Sequence, residues 1–142
     1  VLELGTSNGY STIWLADAVE PDGRVTTVDL DPGRAAEATA NLAAAGLSDV
    51  VEQLVVDAGE VLAAQADGAW PFIFLDAERG HYVSYWTDLL RVLADGGLLV
   101  VDNCVSHADE MAGFRALVDA EPSVRSALVP IGAGLLLISK DR

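Results

Sequence analysis

The stretch Val1-Leu2-Glu3-Leu4-Gly5-Thr6-Ser7-Asn8-Gly9-Tyr10-Ser11 limits the fold more than any other part of the chain. A short apolar run ends at Gly5, Gly9 follows, and a helical pattern begins at once. The first strand of an open α/β sheet turns into its first helix in this way, so a ligand site is expected at the turn. Gly5 and Gly9 permit positive φ and a close backbone approach that a Cβ would block. A dinucleotide fingerprint G-x-G-x-x-G begun at Gly5 needs glycines at positions 7 and 10, where Ser7 and Tyr10 stand. Without a glycine at position 7 a pyrophosphate approaches less easily, and a nucleoside without phosphates fits better. Asp29 closes the next apolar run, where an acidic side chain accepts hydrogen bonds from ribose hydroxyls. A purely structural βα turn is the competing reading of the same residues.

Beyond the turn, the chain alternates. Tyr10 to Val19 reads as a helix with Ile13, Trp14 and Ala18 on one face, and Arg24 to Leu30 as a strand. Asp31-Pro32 is an N-cap with proline at the first helical position. Ala35, Ala38, Leu42 and Ala45 then repeat at helical spacing up to Gly46. Val50 to Val56 reads as a third strand, Val61 to Ala66 as a short helix, and Pro71 to Leu75 as a strand buried on both faces. Tyr82, Trp86, Leu89, Leu90 and Leu93 mark a helix, and Asp95-Gly96-Gly97 a turn into the strand Leu98 to Val101. A helix carrying Met111, Phe114, Leu117 and Val118 follows. Val124 to Val129 and Leu135 to Ser139 then form an antiparallel pair about Gly132-Ala133-Gly134. The fold class is α/β, a doubly wound, mostly parallel sheet ending in an antiparallel pair. Trp14, Trp86 and Phe114 are expected in the core.

With 142 residues the chain is read as a single domain, residues 1–142. That length buries roughly two-thirds of the unfolded surface. A net charge of −14 disfavours nucleic acid and anionic membranes as partners, and no apolar run approaches the roughly twenty residues that span a bilayer. The single cysteine excludes an internal disulfide and suits a reducing, cytoplasmic compartment. Because the chain opens on Val1 inside a core strand, it is read as amino-terminally truncated.

Asp57, Asp76 and Asp102 each stand at the carboxyl end of a strand, and Asn103 follows Asp102. Such ends line the ligand crevice of an open α/β sheet. Asp76, Asp102 and Asn103 make an oxygen-only donor set, which suits a hard divalent ion such as Mg²⁺. The same residues also favour turns and caps for reasons unconnected with a metal.

The chain resembles the S-adenosylmethionine-dependent class I methyltransferases, specifically the catechol and caffeoyl-CoA O-methyltransferase family. The resemblance runs through Val1 to Gly5 with Gly9-Tyr10-Ser11, Val28 to Pro32, Phe74 to Ala77, Gly96 to Asn103, and Pro130-Ile131-Gly132. It implies that Glu3, Gly5, Thr6 and Ser11 hold the methionine part of S-adenosylmethionine. Asp29 would bind the ribose, and Ala58 with Asp57 and Gly59 would border the adenine. Asp76, Asp102 and Asn103 would bind Mg²⁺ or a similar divalent cation, with Asp76 also near the methyl-donor end. Two adjacent hydroxyls of a small acceptor would chelate that cation. One hydroxyl would thereby become acidic enough to attack the sulfonium methyl. The resemblance also suggests a homodimer.

One departure bears on catalysis. The family has a lysine three residues after its first metal aspartate, and this chain has Arg79. Arginine stays protonated, so Arg79 cannot act as a general base, although its charge can stabilise a phenolate. His81 and His107 are expected as surface and loop residues, and Cys104 as a small buried side chain. The functional reading is a metal-dependent O-methyltransferase acting on a catechol-like or vicinal-diol acceptor, with Asp76 and Arg79 as catalytic residues. A degenerate, non-catalytic S-adenosylmethionine-binding domain is the alternative. A nicotinamide oxidoreductase is disfavoured by Ser7 and Tyr10.

Overall fold

The computed structural model describes residues 1–142. The elements run β1 (Leu2–Leu4), α1 (Tyr10–Val19), β2 (Val25–Asp29), α2 (Pro32–Ala45), β3 (Val51–Val55), α3 (Ala58–Ala64) and β4 (Trp70–Leu75). A 3-10 turn (Arg79–His81), α4 (Tyr82–Val92), β5 (Leu93–Val101), α5 (Ala108–Ala120), β6 (Val124–Val129) and β7 (Leu135–Lys140) complete the chain. The strands form a seven-stranded sheet in the order β3-β2-β1-β4-β5-β7-β6. Two compact units divide the chain at Val61/Leu62.

In the first unit β1, β2 and β3 pair in parallel, with Glu3 opposite Thr27 and Asp29 opposite Val55. Ala16, Val25, Leu42, Leu47 and Val50 form its core. The Asp31 side chain accepts from the backbone N–H groups of Gly33 and Arg34, and Pro32 fills the first turn of α2. Gly46 ends that helix at φ 75°, a left-handed position suited to glycine. Ala35, Ala38 and Leu42 are buried as expected, while Ala45 is exposed. The expectation for Trp14 fails: it is 62% exposed, and Ala18 also faces solvent. Helix α1 buries Thr12 and Ala16, four residues apart, and the helical repeat turns position 14 to the opposite side.

In the second unit β4 pairs in parallel with β5, and β7 pairs antiparallel with both β5 and β6. Ile73 and Leu75 of β4 are fully buried, but Trp70, Phe72 and Phe74 are only half-buried, so that strand is closed on one face. Asp95-Gly96-Gly97 is not a turn before β5 but an irregularity within it. Trp70 pairs with Leu93 and Phe72 with Leu98, and the extra residues of β5 bulge between. A Cβ on Gly97 would lie 2.7 Å from the Ala94 carbonyl oxygen, so the bulge needs glycine there. Lys140 Nζ ties the bulge down, donating to Leu93 O at 2.8 Å and pairing with Asp95 Oδ1 at 3.1 Å. Helices α4 and α5 meet through Tyr82, Trp86 and Phe114, whose rings pack edge to face.

Helix α3 starts earlier than its apolar pattern suggests. Asp57 Oδ1 accepts from Gly59 N at 2.8 Å and Glu60 N at 3.2 Å, so this cap sets the first turn.

Candidate functional site

The turn after β1 is held from beneath by one carboxylate. Glu3 is fully buried, and its Oε1 accepts from Ser11 Oγ at 2.6 Å. Its Oε2 accepts from Thr12 Oγ1 at 2.5 Å and Thr27 Oγ1 at 2.6 Å. Thr27 stands opposite Glu3 in the β1–β2 register, so β1, β2 and the first turn of α1 all converge on one carboxyl group. A buried carboxylate needs such donors to offset its lost hydration. The Thr6 hydroxyl, also buried, shares a 2.7 Å hydrogen bond with Thr27.

Above this anchor the backbone takes conformations that most residues avoid. Gly5 has φ 111°, Ser7 φ 48° and Gly9 φ 85°. The Gly5 and Thr6 N–H groups donate to Val28 O at 2.9 and 3.2 Å. A Cβ on Gly9 would stand 3.2 Å from Ala38 Cα, so that glycine also lets α2 approach. Asn41 of α2 reinforces the contact by donating to Asn8 O at 2.8 Å. Asp29 stands at the end of β2, where its Oδ2 accepts from Ser7 N at 2.8 Å and its Oδ1 from Asp31 N at 2.9 Å. Both oxygens keep further lone pairs for a diol. Asp57, Ala58 and Gly59 form the half-buried start of α3, with the Asp57 carboxylate committed to the cap.

The second unit carries the oxygen cluster. Asp76 directly follows β4, and Asp102 and Asn103 directly follow β5. Asn103 Nδ2 donates to Asp76 Oδ1 at 2.8 Å, and Asn103 N donates to Asp102 Oδ1 at 2.7 Å. Asn103 adopts φ 65°, a left-handed conformation that asparagine tolerates better than most side chains. Burial, together with the Asp102 charge, raises the Asp76 pKa above its ordinary value, while Asn103, Arg79 and His107 partly oppose this. No group of three side chains drawn from His, Cys, Asp and Glu gathers in the chain. The cluster is two carboxylates and an amide, an oxygen donor set of the kind hard divalent cations take.

Arg79 opens the 3-10 turn after Asp76, and its Nε pairs with Glu110 Oε2 at 3.2 Å. His81 is exposed and stacks on Tyr85; His107 precedes α5 and shares a 2.8 Å hydrogen bond with Ser106. Cys104 is buried, and burial raises its thiol pKa. Sequence reasoning missed Thr12 and Thr27 as partners of Glu3, Glu110 as partner of Arg79, and the Tyr82 hydroxyl, which bonds Ala77. Only the Glu3–Thr27 pair had a usable signal, since the alternation of β1 and β2 allows their register to be guessed.

A mostly parallel, doubly wound sheet ending in an antiparallel pair, with a glycine turn after its first strand and an aspartate at the end of its second, is the Rossmann-like methyltransferase fold. Residues 1–141 match the O-methyltransferase family, and the chain belongs to it. A catechol O-methyltransferase of Mycobacterium tuberculosis (strain ATCC 25618 / H37Rv) is 41% identical over 126 residues, covering 82% of this chain and 57% of that protein. A catechol O-methyltransferase of Niastella koreensis is 42% identical over 108 residues, covering 74% and 49%. The chain therefore spans about half the length of these curated relatives. The crystal structure of cofactor-bound Rv0187 from MTB matches with a TM-score of 0.88 at 31% identity, over 99% of this chain and 72% of that one. An O-methyltransferase from Bacillus cereus in complex with SAH matches with 0.85 at 28% identity, over 99% and 73%.

Proposed function

We propose that the chain transfers a methyl group from S-adenosylmethionine to a hydroxyl of a small catechol-like or vicinal-diol acceptor, in a reaction that depends on a divalent cation. The convergence of Asp76, Asp102 and Asn103 carries this reading. The likeness to two catechol O-methyltransferases supports the acceptor class, and the net charge of −14 favours a small molecule over a polyanion. A cytoplasmic, homodimeric protein, with residues 1–142 acting as one methyltransferase domain, completes the proposal.

Each group of residues has a separate task. Asp29 accepts the ribose hydroxyls, and the glycine turn from Gly5 to Gly9 lies against the methionine part. Glu3, Thr6 and Ser11 hold that turn in shape through the hydroxyl network. Asp57, Ala58 and Gly59 border the adenine. Asp76, Asp102 and Asn103 supply oxygen donors to Mg²⁺ or a similar ion, and the mutual repulsion of the two carboxylates gives a cation something to neutralise. When bound, such a cation supplies Lewis acidity that lowers the pKa of an acceptor hydroxyl and fixes its direction. Arg79 contributes the positive charge of its guanidinium toward a phenolate, while Glu110 restrains it.

The test is the initial rate of catechol methylation with and without EDTA, beside calorimetric titration with S-adenosylhomocysteine. The proposal requires turnover that EDTA abolishes and added Mg²⁺ restores. Asp102→Ala and Asn103→Ala should lose that turnover with little change in S-adenosylhomocysteine affinity. The Arg79–Glu110 pair favours one other reading, a degenerate S-adenosylmethionine-binding domain, because no lysine base is present and the arginine is already neutralised. Binding of S-adenosylhomocysteine without turnover on any catechol would select it.

A further inference from the structure

The segment that carries Asp76 has no regular structure of its own. Strand β4 stops at Leu75, and Ala77 and Glu78 belong to neither strand nor helix. One side chain holds this backbone. Ala77 N donates to the Tyr82 hydroxyl at 3.0 Å, and that hydroxyl donates to Ala77 O at 3.1 Å. Both backbone polar groups of Ala77, the residue that follows Asp76, thus end on a single phenol. Tyr82 is 1% exposed and opens α4, and its ring packs edge-on against Phe114 of α5 at 5.7 Å. Phe114 is fixed in turn by Trp86 at 5.5 Å. Burial and the nearby Asp76 charge push the phenol pKa up, so the hydroxyl keeps the proton it needs to donate and accept together.

We propose that Tyr82 is a positioning residue for the cation site: through both polar groups of Ala77 it fixes the direction in which Asp76 presents its carboxylate to Asn103. The inference rests on the reading of Asp76, Asp102 and Asn103 as cation-binding. Outer partners that orient a metal-binding carboxylate typically alter metal affinity by roughly ten- to a hundredfold when removed. A phenylalanine at position 82 keeps the ring and its packing, and leaves Ala77 N–H and C=O without their partner.

The experiment is calorimetric titration of the metal-free chain with Mn²⁺ for the parent, Tyr82→Phe and Leu89→Ala. Leu89 is fully buried on the same helix and has no bond to Ala77, so its truncation reports what loss of stability alone does. Tyr82→Phe should bind Mn²⁺ roughly ten- to a hundredfold more weakly, with S-adenosylhomocysteine affinity unchanged. Leu89→Ala should melt at lower temperature and keep the parent's Mn²⁺ affinity. In the parent chain, hydrogen exchange of the Ala77 amide should slow on adding Mg²⁺, a readout that needs no variant to fold. Equal Mn²⁺ affinity in Tyr82→Phe and the parent would overturn the inference, as would affinity that falls with stability in both variants, or an Ala77 amide indifferent to Mg²⁺. A parent chain that binds no Mn²⁺ would overturn the cation reading itself, and this inference with it.

Discussion

Asp29 does two jobs with one carboxylate. It accepts from Ser7 N, which fixes the left-handed residue of the glycine turn, and from Asp31 N, which starts the cap of α2. Asp29→Ala removes the proposed ribose acceptor and also frees Ser7, so cofactor affinity should fall by roughly 1.5–3 kcal/mol, the usual worth of charge-assisted hydrogen bonds. Calorimetry with S-adenosylhomocysteine measures it, and an unchanged dissociation constant would remove Asp29 from the site. Asp76 makes a prediction of the opposite kind. Burial and Asp102 raise its pKa above the ordinary 3.8. A carboxyl that holds its proton more tightly when folded costs no stability below the unfolded pKa. The deficit grows as pH rises through the folded value. Asp76→Asn keeps an oxygen for Asn103 Nδ2 and removes the charge. Without added metal it should therefore melt a few degrees above the parent at neutral pH, and the two should converge below the ordinary pKa. Melting curves at both pH values check this; a lower midpoint at neutral pH would contradict it. The strand-end positions of Asp29, Asp76 and Asp102, with Asn103 next to it, were legible because a recognisable apolar run stops at each of the three aspartates. The hydroxyls around Glu3 and the Glu110 partner of Arg79 were not, because those contacts depend on strand register and on how helices pack, which local pattern does not encode.

At the scale of elements, Asn103 is held by a staple between two loops. Cys104 N donates to Gly134 O at 2.9 Å, and Val105 N and Ser106 N donate to Ala133 O at 2.9 and 3.0 Å. Gly134 has φ 91°, and a Cβ there would fall 2.7 Å from Val105 N. Gly134→Ala combines left-handed strain with overpacking and should cost on the order of 2 kcal/mol or more. Thermal melting reads that loss, and because the staple borders Asn103, turnover should fall further than S-adenosylhomocysteine affinity. A variant as stable and active as the parent would show the staple to be slack. Strand and helix order was legible from alternating patterns and punctuation by Gly, Pro and Asp. Three local features were not. The bulge in β5 reads as a turn because Asp95-Gly96-Gly97 has turn chemistry, and only pairing with β4 and β7 keeps it in the strand. Helix α3 begins at a cap that its apolar pattern does not mark. Trp14 reads as core by its chemistry, whereas the stripe that α1 buries is made of Thr12 and Ala16.

At the scale of the molecule, 22 acidic residues against 8 basic ones create a field that gathers cations around the whole surface. Exposed charges are screened over about 8 Å at physiological ionic strength. Affinity for Mn²⁺ should therefore weaken several-fold between low and high sodium chloride, more than affinity for the nearly neutral S-adenosylhomocysteine. Paired titrations measure both, and equal salt dependence would mean the net charge does not help the cation site. The same imbalance has a consequence for covalent chemistry. Lys140 carries the only ε-amine in the sequence, and its ammonium is already tied to Leu93 O and Asp95. Acylating reagents, amine cross-linkers and lysine-directed tags thus have one side-chain address among these residues. Reaction there would trade the ion pair with Asp95 for a neutral amide beside the β5 bulge. A label meant to leave the protein undisturbed has to be attached through some other chemistry.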